Sequence, residues 1–258
     1  RGGATWSAGT INLNSNTGPG SGTIVNRAGS GFDTTFNGAM VTSNFGGTDT
    51  GADARFTNAG AFRKTGGTTT TTIQTPFDNS GTVEVQTGTL SLTQGGTHTG
   101  DFSGGGTIQF GGGTHDLGAT SNVTTANATF SAGTTNINGD YAVTGTTLVT
   151  GGTANFTGTL TSLGNALSIT SGTANLGGAA ATVATFTQSG GTLSGAGVLM
   201  VSGATTLSGG TMSGAGATIT LGALTITGSI GLDAGRVLDV RGGATWSAGT
   251  INLNSNTG

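Results

Sequence analysis

Residues 131–156 read SAGTTNINGDYAVTGTTLVTGGTANF. A turn of the form (Ser/Thr)-(Gly/Ala)-Gly-Thr opens this stretch at 131–134 and returns at 150–153. Working outward, the same turn recurs at 189–192, 208–211 and 247–250, with shortened versions at 171–173 and 227–229. Its closing residues, at nearly constant spacing, are Thr134, Thr153, Thr173, Thr192, Thr211, Ser229 and Thr250. Apolar residues travel with the turn. Phe130, Leu148, Ile169, Phe186, Leu207, Ile226 and Trp246 precede it; Ile137, Phe156, Leu176, Leu193, Met212, Ile230 and Ile251 follow it. An echo of turn and flanking apolar residues at one fixed period is the mark of a repeat architecture.

Between the turns the chain alternates apolar and polar, as in TINL at 250–253, ATITL at 217–221 and TVEV at 82–85. That is the two-residue period of a half-buried strand. Short strands, glycine turns and coils of about 19–21 residues predict an all-β chain wound as a parallel β-helix, a β-solenoid of about twelve coils per 240-residue unit. Each coil then buries its apolar face only by stacking on the next. A β-sandwich is the competing architecture, but sandwich strands do not keep so constant an echo. With strands stacked about 4.8 Å apart, twelve coils advance roughly 58 Å.

Nearer the N-terminus a second motif has a matching period. FTNAGAF at 56–62 is answered one coil later by FDNSGTV at 77–83. The register stacks Phe56 under Phe77 in the core and Asn58 under Asn79 as an amide ladder at a turn. It also places Arg63 under Glu84, an exposed ion pair worth about 0–1 kcal/mol, and Lys64 under Val85. A coarser repeat encloses everything: 241–258, RGGATWSAGTINLNSNTG, is identical to 1–18. The expectation is one tandem unit of a continuous solenoid at 1–240, with 241–258 beginning the next identical unit, so that the chain is a window onto an array.

Composition agrees with this reading. Of 258 residues, 54 are glycine and 55 threonine, which disfavours helix; collagen's glycine at every third position is absent. Leu, Ile, Val and Phe number only 50, a thin supply for a globular core but enough for one narrow column. A net charge of −3 with seven basic residues leaves no electrostatic footprint for nucleic acid. No apolar run approaches the length of a membrane span. The absence of cysteine excludes disulfides and thiolate metal sites.

The segments FDNSGTVEVQTGTLSLTQGGTHTGDF (77–102) and GTIQFGGGTHDL (106–117) resemble repeats of large bacterial surface proteins, of the filamentous-haemagglutinin and autotransporter-passenger β-helix type. The resemblance covers mainly 54–118. It implies a right-handed β-helix exported to the cell surface or beyond.

Chemistry is scarce. Between Leu117 and Leu232 the only charged residue is Asp140, so that half lacks the convergent carboxylates of a carbohydrate-active enzyme. Candidate cation ligands are Asp49 and Asp53, read as part of a polar insertion near 31–53, because hard cations want clustered oxygens. His98 and His115 each end a Gly-Gly-Thr-His run and are a weaker metal candidate; repeated surface turns are the plainer account. Structural roles are expected for Phe56, Phe77, Asn58, Asn79, Arg63, Glu84, Thr134, Thr153, Thr173, Thr192, Thr211 and Thr250. No catalytic residue and no cofactor are expected. The functional expectation is a structural segment of a giant tandem-repeat extracellular or cell-surface fibre. Its partners would be further copies end to end, with lateral self-association. The alternative is an adhesin stalk binding a host or neighbour-cell glycan, or a protein, through the insertion.

Overall fold

A computed structural model describes residues 2–14, 20–44 and 47–253. Arg1, 15–19, 45–46 and 254–258, which include the tails of both 18-residue copies, lie outside the described residues. The chain is all-β and every strand pairing is parallel. It is a β-solenoid with three faces. Face 1 begins with Gly3–Trp6, Gly31–Thr34, Ala61–Lys64 and Thr82–Val85, stacked in that order. Face 2 begins with Ile11–Asn12, Ala39–Val41, Thr70–Gln74 and Thr89–Leu92. Face 3 begins with Thr23–Asn26, Arg55–Asn58, Phe77–Asn79 and Gly96–His98. From there each face continues rung by rung, to Val237–Val240, Ala244–Trp246 and Ile251–Leu253 respectively. Several longer strands bend across a corner; Thr146–Phe156, for example, supplies one rung to face 2 and one to face 3.

Twelve rungs stack on each face among the described residues. The later coils keep the spacing expected from sequence. The first two are longer, because Gly3, Gly31 and Ala61 are stacked neighbours. Their extra length falls between faces 2 and 3, in the stretches 13–22 and 42–54. The insertion expected near 31–53 is therefore shorter than predicted: Gly31–Thr34 and Ala39–Val41 are regular rungs, paired above and below.

Alternation along each rung fills the bore. Phe56 and Phe77 stack at 5.2 Å with planes 10° apart, as expected. Phe32 and Phe62 do the same on face 1, at 5.5 Å and 8°, and the two stacks meet edge to face. The face 2 column runs Met40, Ile73, Leu92, Phe110, Phe130, Val149, Ile169, Gln188, Leu207, Ile226, Trp246. Two positions differ from the sequence reading. Leu148 faces outward and Val149 takes its place; buried Gln188 occupies the level expected of Phe186, and its amide donates to the carbonyls of Gly191 and Thr211. The core also admits threonine. Thr71, Thr125 and Thr147 point inward and donate to the carbonyls of Phe36, Asn127 and Leu163.

The turn threonines Thr134, Thr153, Thr173, Thr192 and Thr211 do share one register, outward on face 3, with Thr114 beneath them. Thr250 does not. It lies over Ser229, whose hydroxyl receives its N–H at 3.1 Å, and this pair falls before Thr211's level, since Thr211 pairs with Gly231. Each of the five turn threonines is preceded by glycine. At Gly133 (φ 70°) a Cβ would run into the Gly113 carbonyl of the coil below, so the corner needs glycine for both conformation and space.

Face 1 has one discontinuity. Leu160–Leu163 carries a register shift against Asp140–Val143. The next rung, Ala180–Val183, opens a separate four-stranded sheet with Val198–Val201, Ala217–Thr220 and Val237–Val240. A bulge offsets the backbone groups that the following rung would use.

Replacing Gly133 by alanine forces a left-handed backbone and a backbone collision; we expect a loss of about 2 kcal/mol or more. Gly178 has ordinary φ and open space around its Cα, so its alanine variant serves as a control within about 0.5 kcal/mol. Urea melts of the two variants check this; equal midpoints would contradict the corner argument.

Candidate functional site

The carboxylates are dispersed and engaged. Both oxygens of Asp33 accept from Arg63, at 2.7 and 2.9 Å. The register of Arg63 with Glu84 is as read from sequence, but the ion pair is with Asp33 on the coil below. Glu84 instead accepts from Gln86. Asp78 holds Arg55 and Asp239 holds Arg241. Asp101 accepts from Asn122, and Asp116 from Asn136. Among the described residues no three His, Asp or Glu side chains converge.

Asp49 and Asp53 do not form a cation site together. Asp49 is buried and acts as a brace: its Oδ1 accepts from Ser21 Oγ at 2.7 Å and from the Gly51 N–H at 2.8 Å. Its carbonyl accepts from Asn14 Nδ2. Asn14 and Ser21 are thereby tied to Asp49, across the corner between faces 2 and 3. Asp53 is exposed.

His98 and His115 are adjacent, as their spacing suggested, but they point into the bore and not to a surface turn. Both are buried, with ring nitrogens 3.0 Å apart. His115 Nε2 lies 3.2 Å from the Leu92 carbonyl, which can only accept; His115 Nδ1 is therefore the acceptor for His98 Nε2–H. This leaves His98 Nδ1 buried without a partner among the described residues. Burial pushes His98 down to about 3, helped by repulsion from His115, and burial pushes His115 down to about 4. Two neutral, mutually bonded imidazoles with no third ligand form a packing element.

His98 continues a polar column. Asn26 Nδ2 donates to Asn58 Oδ1 at 2.7 Å, and Asn58 Nδ2 to Asn79 Oδ1 at 2.8 Å. Their amides also reach the carbonyls of Ala61, Thr82 and Asp101. His98 stands directly over Asn79. The expected Asn58–Asn79 ladder is thus extended by Asn26, hidden in sequence because a long coil carries it well past the common period.

Two buried cations were not anticipated. Lys64 points inward and donates to Gly66 O, Thr71 Oγ1 and Asn37 Oδ1 at 2.8, 3.0 and 3.3 Å; burial lowers its pKa. Arg236 reaches the carbonyls of Gly195, Gly197 and Ala217 and the hydroxyl of Thr218. Burial lowers it to about 10. Neither has a carboxylate partner in these contacts; carbonyl oxygens of different coils solvate Arg236, and one carbonyl, one hydroxyl and one amide oxygen solvate Lys64. The only sequence signal was position: Lys64 follows outward-facing Arg63 in a strand of period two.

The two copies of the 18-residue sequence can be compared at the first and last described coils. Trp246 is 58% exposed and Leu253 72%, whereas the same residues of the first copy, Trp6 and Leu13, are 6% and 8% exposed. Trp6 is covered by the second coil, where Phe36 packs on it edge to face at 5.2 Å. Identical sequence at two levels therefore shows what one further coil would cover. Comparison with known proteins found no matching family model, curated protein or solved structure.

The histidine pair predicts acid sensitivity. Both folded pKa values lie below the ordinary 6.5, so the unfolded chain binds more protons below that pH. The pair's contribution is fully present above pH 6.5 and is lost as pH falls toward 4. The loss is about 1.4 kcal/mol per pH unit per histidine, or roughly 4 kcal/mol for both at pH 5. Urea midpoints at pH 7 and 5 measure it. The His98→Leu/His115→Leu double variant, which matches the buried Leu117 stacked over His98, should flatten the dependence; an unchanged slope would refute the assignment.

Proposed function

We propose that this chain is a structural segment of a giant tandem-repeat fibre, extracellular or on a cell surface, and not an enzyme. The observation carrying this reading is the identical 18-residue copy, whose second occurrence continues the stack on the coil beneath it. A second copy stacked there would bury Trp246 and Leu253 as Trp6 and Leu13 are buried. Parallel ladders run along the axis, so tension along the fibre is borne by backbone hydrogen bonds and core stacking together. Outward threonines at successive levels present a nearly uncharged surface for lateral self-association. The bacterial surface-protein resemblance at 77–117 supports the location.

A protein of two 240-residue units should keep one cross-section in solution scattering and lengthen by roughly 54 Å per added unit, at about 4.8 Å per coil. Its junction tryptophan should emit as a buried indole. Two bodies on a flexible tether, or a junction tryptophan still exposed, would reject the fibre.

A second reading, an adhesin stalk, is favoured by the extra length of the first two coils, where Asp49 holds Asn14 and Ser21. Replacing 43–53 by an ordinary corner should then abolish binding on a glycan array. Binding that survives, or none to begin with, removes this reading.

A further inference from the structure

The two copies of the 18-residue sequence do not occupy the same faces. In the first, Gly3–Trp6 lies on face 1 and Ile11–Asn12 on face 2. In the second, Ala244–Trp246 lies on face 2, over Leu224–Ile226, and Ile251–Leu253 on face 3, over Ile230–Leu232. The unit therefore holds eleven full coils and one further strand, where about twelve coils were expected from sequence.

We infer, building on the fibre reading, that successive units join with a step of one face, so that each face of one unit continues as a different face of the next. The two copies supply the two halves of the joint. The second copy shows what lies beneath the shared coil; the first shows what lies above it, Gly31–Thr34 over Gly3–Trp6 and Ala39–Val41 over Ile11–Asn12.

The third contact follows from the winding. Val237–Val240 is the last rung of face 1. The strand that comes after the shared coil is Thr23–Asn26 of the following copy, and winding on from face 3 brings it to face 1. Its inward residues are Ile24 and Asn26, since these stack on buried Phe56 and Asn58. The inward residues of Val237–Val240 are Leu238 and Val240, since these stack on buried Thr218 and Thr220. The two strands have the same length and the same inside–outside phase. They pair in line, and Val237, 52% exposed in this chain, meets Thr23 of the next copy. The partner of the open end is thus a second copy of this sequence, turned by one face. The stretches 13–22 and 42–54 would come up on each of the three corners in turn, once per unit.

The test is a two-unit protein with paired cysteines. Val237→Cys in the first unit with Thr23→Cys in the second should form a disulfide, because stacked parallel rungs hold Cα atoms within bonding range. Thr225→Cys with Thr245→Cys, stacked neighbours within one chain, is the positive control. If units instead joined face to like face, Val237→Cys would bridge to Gly31→Cys of the second unit, which overturns the step while leaving the fibre intact. If only the control pair forms and scattering shows two separate bodies, the continuous fibre fails, and the step with it.

Discussion

Almost every side chain in this protein sits about 4.8 Å above or below another, because the chain returns to the same place once per coil. That spacing is the constraint on which the rest depends. It makes like stack on like: phenylalanine on phenylalanine, asparagine on asparagine, threonine on threonine. It also decides how polar groups survive in the bore. A buried amide here is satisfied along the axis, by its counterpart one coil away and by carbonyls at the corner. An unpaired buried polar group costs about 1–3 kcal/mol, so Asn58, which accepts from Asn26 and donates to Asn79, is held from both sides. Lys64 and Arg236 lie inside with neutral oxygens as hydrogen-bond partners, those of Arg236 drawn from three levels.

Where the period is constant, the sequence is legible. The stack of Phe56 and Phe77, the Asn58–Asn79 ladder, the register of Arg63 with Glu84 and the threonine column from Thr134 to Thr211 all follow from counting one period along the chain. Counting fails where a coil is long. Asp33 lies under Arg63, and Asn26 under Asn58, across one of the lengthened early coils, so neither partner is visible at the common period. It also fails by one residue where an apolar side chain stands next to the true core position. Leu148 is larger than Val149, yet strand alternation turns it outward. The histidines show a third limit: a Gly-Gly-Thr-His run looks like surface turn chemistry, and only the fold shows which side of the rung the imidazole takes.

The thin supply of large apolar residues has an uneven distribution that fits the geometry. The aromatic rings crowd the coils between Phe32 and Phe156, often in edge contact across faces. The later coils rely mostly on leucine, isoleucine, valine and inward threonine, with Phe186 and Met212 among them. Among the described residues no three His, Asp or Glu side chains come together. Most of the side-chain hydrogen bonds described above join one coil to its neighbour.

The interruption on face 1 has a mechanical consequence. Faces 2 and 3 carry paired rungs along their whole length, but between Leu160–Leu163 and Ala180–Val183 the third side has no such run. A rod bonded continuously on two sides and seamed on the other does not bend equally in all directions. At that level the ladder of face 1 is divided in two, and the resistance of the rod to bending is set there by the ladders of faces 2 and 3.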